Sequence, residues 1–303
     1  MEAAHIKYFR RNDIDDAKWN ACIDSAANGL IYAYTDYLDC MSDNWDGLVL
    51  NNYEAVMPLP WRKKWSIHYI YQPFLTAQLG VFAGNVTADL LELFLQSVPR
   101  KFRHWDVSLN HQNLFPLENF SLYQRSNYTL SLNRSYEELY KNYRENIRRN
   151  IKKSRDYGCV PARDIDINNI IGLAKMQSAK VSDEDFENFK RLYGLLKKNG
   201  HAKTYGVVSK TGELLASCVF LFSHNRAYYI LVGNHPNGRT LGASHALIDA
   251  FIRDHANQNL LLDFEGSDIR NLAFFYSSFG AAEEKYAAVK LNRLPWWMKW
   301  AKK

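Results

Sequence analysis

The chain alternates between stretches with period-two hydrophobicity and stretches with apolar residues every three or four positions, which predicts strands and helices in turn. In the first half, "HIKYFRR" reads as a strand and "DDAKWNACIDSAAN" as a helix ended by Gly29. A short helix, "TDYLDCMSDN", precedes the alternating segments "DGLVLNN", "YEAVMPLPW" and "WSIHYIYQPF". Asn51–Asn52 between the first two is a hairpin signal. Helical "TADLLELFLQSVP" and strand-like "HWDVSLN" complete this set by about residue 120.

The second half repeats the pattern more legibly. "YTLSL" reads as a strand, and Ser135 stands three residues before Glu138, a capping box that opens a long helix to about Tyr157 with Gly158 as its stop. Leu139, Tyr143, Ile147 and Ile151 give that helix an apolar stripe. Helices follow at "NNIIGLAKMQSAK" and at "SDEDFENFKRLYGLLKKNG", the latter with Ser182 as N-cap and Gly200 past its end. Three antiparallel strands come next, "AKTYGVVSK", "ELLASCVFLFSH" and "AYYILVGNH". A glycine-bearing loop then leads into helix "LGASHALIDAFIRDHANQ", strand "LLLDFEG", helix "DIRNLAFFYSSF" and a closing strand "EEKYAAVKLNRL". The fold class is α/β (α+β), and 303 residues suffice for two domains, expected at 1–127 and 128–303.

Composition narrows the class without naming a function. With 47% hydrophobic and 23% charged residues the chain is ordinary for a globular protein. The net charge of +6 suits an anionic ligand: a phosphate-bearing cofactor, RNA or an acidic membrane surface. It is too modest to point to DNA. Cys22, Cys40, Cys159 and Cys218 are scattered, with no CxxC pair and no histidine at metal spacing, so neither disulfides nor a metal site are expected. No apolar run is long enough for a membrane span and the N-terminus lacks a signal-peptide core, so a cytoplasmic chain is expected.

Chemistry concentrates in two stretches. The loop and helix start around "GNHPNGRTLGASHALIDAF" offers glycine, backbone N–H groups and Arg239, the makings of an anion site; Gly238 and Gly242 equally suit a tight turn. In "LDFEGSD", alternation places Glu265 on the same pleat face as Asp263, with Gly266 for a bend and Ser267 or Asp268 as cap of the next helix. Such a carboxylate at a strand end can take a proton from an acceptor amine, or partner a buried arginine. Asn234 and His235 stand as a cleft wall; His245 reads as a helix-surface or satisfied core histidine. The segment 141–155 holds seven Lys and Arg against Glu145 alone, and Arg144, Arg148, Lys152 and Arg155 share a face that is a track for the phosphates of RNA such as tRNA, or for a nucleotide-linked acceptor, or else a solvated surface. The tail "LPWWMKWAKK" combines Trp and Lys and either touches a membrane surface or packs on the body.

The element order from 128 to 294 resembles the GCN5-related N-acyltransferase (GNAT) fold. Arg239, Gly242 and Ser244 stand as R-x-x-G-x-S, similar to that family's acyl-CoA pyrophosphate loop, with Ser where Gly or Ala is usual. "FYSSFGA" resembles the family's LYxxxGF, in which the tyrosine protonates the leaving thiolate. Three longer segments, "YTLSLNRSYEELYKNYRENIRRNIKKSRDYG", "QPFLTAQLGVF" and "LDFEGSD", resemble the Fem-type peptidyltransferases and their BioF2-like acetyltransferase relatives, which have tandem GNAT domains. The resemblance implies two GNAT-like domains, each a mixed, mostly antiparallel sheet flanked by helices, with the acceptor on the first and the acyl donor on the second. It implies acetyl-CoA or another acyl-CoA as co-substrate, or aminoacyl-tRNA instead, and no metal. The site it implies has Glu265 and Tyr276 as catalytic residues, although Tyr276 can equally be a core aromatic. The donor would lie against Val232, Gly233, Arg239, Thr240, Leu241, Gly242, Ala243 and Ser244. Gln72, Gln78, Asn234, His235 and Asn271 would line the acceptor cleft. An N-acyltransferase of cell-envelope, sugar or peptide-like amines is the expectation, with a tRNA-dependent peptidyltransferase or a catalytically silent binding module as alternatives.

Overall fold

A computed structural model describes residues 5–177 and 181–294. The Trp- and Lys-rich tail from residue 295 onward lies outside the described residues. In chain order the first elements are β1 (Ile6–Arg10), α1 (Asp16–Ser25), α2 (Thr35–Met41), β2 (Trp45–Leu50), β3 (Ala55–Lys64), β4 (Ile67–Ile70), β5 (Phe82–Ala83), α3 (Ala88–Ser97), β6 (Phe102–Ser108) and β7 (Leu122–Ser131). Then follow α4 (Tyr136–Lys141), α5 (Glu145–Asp156), β8 (Val160–Arg163), α6 (Ile167–Gln177), α7 (Asp183–Lys198), β9 (Ala202–Val208), β10 (Leu214–Ser223), β11 (Arg226–Asn234), α8 (Pro236–Leu241), α9 (Ala243–His255), β12 (Leu261–Asp263), α10 (Arg270–Ser277) and β13 (Ala282–Asn292).

The described residues form two compact units, 5–125 with 285–294, and 126–284. The return of 285–294 to the first unit departs from the expected continuous second half. Its reason is backbone pairing, because Ala288–Asn292 lies antiparallel against His104–Ser108. In the first unit β1, β2, β3 and β4 form an antiparallel meander, β4 pairs parallel with β6, and β5 pairs with β3. Leu48, Leu59, Leu91, Phe94 and Phe102 pack the core between this sheet and α3.

The segment 79–83, part of the "QLGVF" stretch, is held by side-chain amides instead of a full ladder. Asn28 and Asn110 both donate to Val81 O, Asn28 Oδ1 accepts from Ala83 N, and Asn113 Oδ1 accepts from Val81 N at 2.7 Å. All three asparagines are fully buried. Gly80, at φ +97, passes so close to Asn113 that a Cβ would collide with its Oδ1. Glycine is thus required there both by φ and by space.

In the second unit β8, β9, β10 and β11 run antiparallel, β11 pairs parallel with β12, and β12 pairs antiparallel with β7. Its core packs Leu139, Tyr143 and Ile147 against Phe220, Leu247, Phe251 and Phe279. The capping box forms as the sequence predicts, with Ser135 Oγ accepting from Glu138 N and Glu138 accepting from Ser135 N. The expected single helix from 135 to 157 is nevertheless two, α4 and α5, interrupted at 142–144. The break is tertiary: Arg144 N donates to Ser278 O at 2.9 Å, which takes Arg144 out of the helical ladder and makes it the N-cap of α5. Ser182 caps α7 by accepting from Asp185 N, and Gly200 follows that helix at φ +75. The stretch 236–241, expected as loop, is the short helix α8, opened by Pro236 at its first position and capped by His235. Strand β8 was not expected; Pro161 and a single apolar alternation hid it.

Replacing Asn113 with Ala leaves the Val81 N–H buried and unbonded. The expected loss of stability is about 1–3 kcal/mol, and Gly80→Ala should lose more because strain adds to collision. Urea unfolding of both variants measures this; values within error of the wild type would show that the amide cluster does not hold the segment.

Candidate functional site

Strands β11 and β12 pair through only three residues each, Arg226–Tyr228 with Leu261–Asp263. Beyond Tyr228, β11 runs on to Asn234 with β10 on its other edge, and among the described strands none pairs with the edge facing β12. The two parallel strands therefore splay. Past the splay, β11 carries a bulge: Val219 faces Ile230 and Ser217 faces Gly233, so Leu231 and Val232 together oppose Cys218, with Leu231 at φ +47. The bulge interrupts the regular β10–β11 pairing at Leu231 and Val232.

A buried charge cluster closes the paired end of the splay. Arg226 Nη1 lies 2.6 Å from Asp263 Oδ2, and both Arg226 terminal nitrogens reach Glu284 at 3.1 Å. Burial works against the Arg226 charge, but Asp263 and Glu284 more than offset it and push its pKa up. Asn127 donates to Asp263 Oδ1 at 2.9 Å and to Glu284 at 3.2 Å. Asp263 Oδ1 also accepts from Glu265 N at 2.8 Å, and Asn127 Oδ1 accepts from Gly266 N at 2.5 Å. The buried arginine's partners are therefore Asp263 and Glu284.

Glu265 lies beyond the end of β12 at φ +65, so it does not continue the pleat that sequence alternation assigned to it. Phe264 N bonds Tyr128 O and Ser267 N bonds Ser126 O, so the loop runs along β7. Asp268 accepts from Ser126 N and is not the cap of α10; Ser267 Oγ instead accepts from Ile269 N. Tyr276, on α10, is buried with its ring stacked on Phe264 at 4.6 Å. Its hydroxyl has no hydrogen-bond partner among the described residues. Burial, with the field of the Glu265 carboxylate added to it, pushes the phenol up to about 12. The structure thus brings Glu265 and Tyr276 into electrostatic reach of each other.

The residues expected at the donor divide by location. Val232 and Gly233 lie in the bulged end of β11, while Arg239 and Thr240 are exposed on α8. Gly242, at φ +71, ends α8 and starts α9, and a Cβ there would come within 2.6 Å of Asn150 O in α5. Its conformation lets α5 and α9 approach closely. Leu241 packs partly on the core and Ala243 is buried. Ser244 Oγ donates to Asn234 Oδ1 at 2.5 Å, tying the end of β11 to the first turn of α9. Asn271 is exposed on α10.

In the first unit, Gln72 lines a cavity of about 510 Å³ with Tyr69, Tyr71, His104, Asp106, Ser108, Arg125 and Lys290. The Gln72 amide is also structural, since its Oε1 accepts from Ser108 N and its Nε2 donates to Thr76 O. Gln78 is buried away from that cavity and accepts from His111 N. The sequence reading missed Arg125, Lys290 and the bulge at Leu231. The two cations are separated by 165 positions and only β-sheet pairing brings them together; the bulge has no residue signature beyond Gly233. Among the described residues no group of His, Cys, Asp and Glu is arranged to hold a metal, and no helix is long and apolar enough to cross a membrane.

His235 caps α8, its Nδ1 accepting from Asn237 N. His245 is half-buried in α9, edge-on to Phe275 at 5.0 Å, and burial lowers its pKa to about 4. The folded state therefore keeps this imidazole neutral while the unfolded chain binds a proton below its ordinary value near 6.5. Stability is complete above about pH 6.5 and is lost as pH falls toward 4, by roughly 2–3 kcal/mol from this group. His245→Gln should flatten that part of the pH profile in urea unfolding; an unchanged slope would place the proton uptake elsewhere.

Comparison with known proteins agrees with this geometry. The acetyltransferase (GNAT) domain family matches residues 141–269, which include the splay, α8, the start of α9 and Glu265. No curated protein matches the chain. Among solved structures, FemX superposes with a TM-score of 0.65 at 13% identity over 93% of this chain and 96% of its own. L-PGS from Bacillus licheniformis gives 0.53 at 9% identity, covering 93% of each chain. A tandem GNAT protein from the clavulanic acid biosynthesis pathway gives 0.52 at 11% identity over 96% and 99%. Such identities establish the fold. The chain therefore has the fold of these structures, and its residues 141–269 match the acetyltransferase (GNAT) domain family.

Proposed function

We propose that this protein is a cytoplasmic N-acyltransferase that moves an acyl group from acyl-CoA to an amine of a cell-envelope, sugar or peptide-like acceptor. The observation that supports this reading is the splay of β11 from β12, with Glu265 just past the end of β12 and Tyr276 stacked on Phe264. The acyl carbonyl enters the splay and accepts hydrogen bonds from the bulged stretch of β11. Donor phosphate is read at the start of α9 with help from Arg239. The amine nitrogen attacks the carbonyl, and its surplus proton passes to the Glu265 carboxylate, directly or through water. The C–S bond then breaks and the thiolate leaves.

Tyr276 faces that thiolate with a proton it holds firmly. Full transfer from a phenol near 12 to a thiolate whose ordinary pKa is near 8.5 is uphill. The hydroxyl therefore stabilises the leaving sulfur chiefly as a hydrogen-bond donor, and the proton reaching sulfur in the end is the one released by the amine. In the first unit, the cavity with Arg125 and Lys290 suits a ligand carrying negative charge.

A second reading, aminoacyl-tRNA as donor, rests on α5. Arg144, Arg148, Lys152 and Arg155 are all exposed along it, and a basic helix face of this kind suits nucleic-acid phosphates.

Acetyl-CoA should raise the thermal midpoint of the protein. Tyr276→Phe and Glu265→Gln should each lower kcat by about 10²–10⁴-fold with little change in donor binding. Because the phenol titrates near 12, the pH profile of kcat between 6 and 9 should be unaltered in shape by Tyr276→Phe. No stabilisation by acetyl-CoA, together with salt-sensitive tRNA binding, would transfer the assignment to the second reading. Donor binding without turnover, unaffected by either substitution, would leave a binding module.

A further inference from the structure

Tyr229 is the first residue of β11 beyond the three that pair with β12, so it stands where the splay begins. It faces Phe220 in the β10–β11 register, and its ring lies 5.5 Å from that of Phe220. Its other ring neighbours lie beyond the end of β12 and on α10: Phe264 edge-on at 6.0 Å and Tyr276 edge-on at 6.5 Å. Of these four rings two carry hydroxyls, Tyr229 on the sheet and Tyr276 on the helix.

Like that of Tyr276, the Tyr229 hydroxyl has no hydrogen-bond partner among the described residues. Both residues are buried, yet Tyr229 keeps 4% and Tyr276 8% of its surface accessible, unlike Ser154 and Ser217, whose unbonded hydroxyls are sealed in the core. Burying an unbonded hydroxyl is unfavourable, and a phenylalanine would fill the place of Tyr229 without that cost. Phe220, Phe264 and Phe279 occupy the same cluster, so packing alone does not call for a phenol here. The phenol also keeps its proton: burial pushes its pKa well above the ordinary value, and the fields of Cys218 and Tyr276 add to the effect. Tyr229 is therefore a hydrogen-bond donor held next to Tyr276 with nothing in the fold to receive its proton.

We propose that Tyr229 is a second donor to the sulfur of the acyl donor, so that the departing thiolate accepts one hydrogen bond from Tyr276 and one from Tyr229. The inference rests on the acyl-CoA reading above and assigns it a residue on the sheet. The amine nitrogen bonds to the acyl carbon, the C–S bond breaks, and its electron pair stays on sulfur. Neither phenol gives up its proton; the proton that finally reaches sulfur is the one released by the amine. Two donors matter because the negative charge develops on sulfur as the bond breaks, and hydrogen bonds to a charged atom are roughly twice as strong as those between neutral groups. Aimed at that charge, they favour the transition state over the bound thioester.

Calorimetric titration of the full chain at about pH 9, above the ordinary thiol pKa near 8.5, compares CoA with desulfo-CoA, in which hydrogen replaces the thiol group. Tyr229→Phe should weaken CoA binding about tenfold, the effect of one hydrogen bond to a charged atom, and leave desulfo-CoA binding unchanged. Tyr276→Phe should do the same, and the double variant should lose more than either. Without ligand, the thermal midpoint of Tyr229→Phe should be no lower than that of the wild type, because the change removes an unbonded hydroxyl. Equal losses for the two ligands, or a lowered midpoint, would make the hydroxyl structural and overturn the proposal. Unchanged binding of both ligands would also overturn it while leaving acyl-CoA as the donor. Failure of the wild type to bind either ligand would overturn the acyl-CoA reading and this inference with it.

Discussion

The second unit is organised around one buried positive charge. Arg226 opens β11 from a position where a guanidinium cannot be left unpaired, since removing one partner of such a pair costs about 3–5 kcal/mol. Its carboxylate partners come from β12 and from the start of β13, and Asn127 at the centre of β7 bridges both. The demand for neutralisation therefore draws three strands to one point. Two carboxylates against one guanidinium leave an excess of negative charge, and the amide of Asn127 and the backbone N–H of Glu265 are the dipoles that absorb it.

The same bonds decide where the candidate chemistry sits. With both Asp263 oxygens engaged, the chain turns sharply after β12, and Glu265 is held at φ +65 by its own N–H on Asp263 and by the Gly266 N–H on Asn127. A strand that ends there cannot follow β11 further, so β11 continues alone, and the splay is the result. Phe264, stacked on Tyr276, carries the position of the loop into α10. The splay and the positions of Glu265 and Phe264 thus all trace to one charge cluster. In the first unit, buried asparagine amides play the corresponding part at 79–83, where they replace strand pairing with side-chain hydrogen bonds.

Local signals in the chain were sufficient for most elements. The Ser135–Glu138 capping box, the Ser182 cap, Gly200 and the three alternating strands from 202 to 234 all depend on neighbours within a few residues, and each forms where its pattern lies. What failed was what distant residues control. The long helix breaks at Arg144 because Ser278, far along the chain, claims its N–H. The last strand joins the first unit because β6 offers it an edge. The loop at 236–241 became helical with Pro236 at its first turn and His235 as cap, signals that were present but were outweighed by its glycines.

For the site, the residue types were legible and their arrangement was not. An acidic strand end, a tyrosine on an aromatic helix and an arginine near glycine turns are visible as chemistry, because side-chain identity alone limits what they can do. Whether Asp263 or Glu265 meets the buried arginine could not be read, because alternation places both on one face until the backbone turns. Arg125 and Lys290 share a cavity only through the register of a sheet, and the bulge at Leu231 exists only as a mismatch between two strands. The sequence by itself determined which segments are strands and helices and which side chains can move protons or bind anions, since both follow from short-range sterics and intrinsic chemistry. Only the tertiary structure decided which carboxylate is locked in an ion pair and which lies past the strand end, since that depends on where β12 must stop to neutralise Arg226.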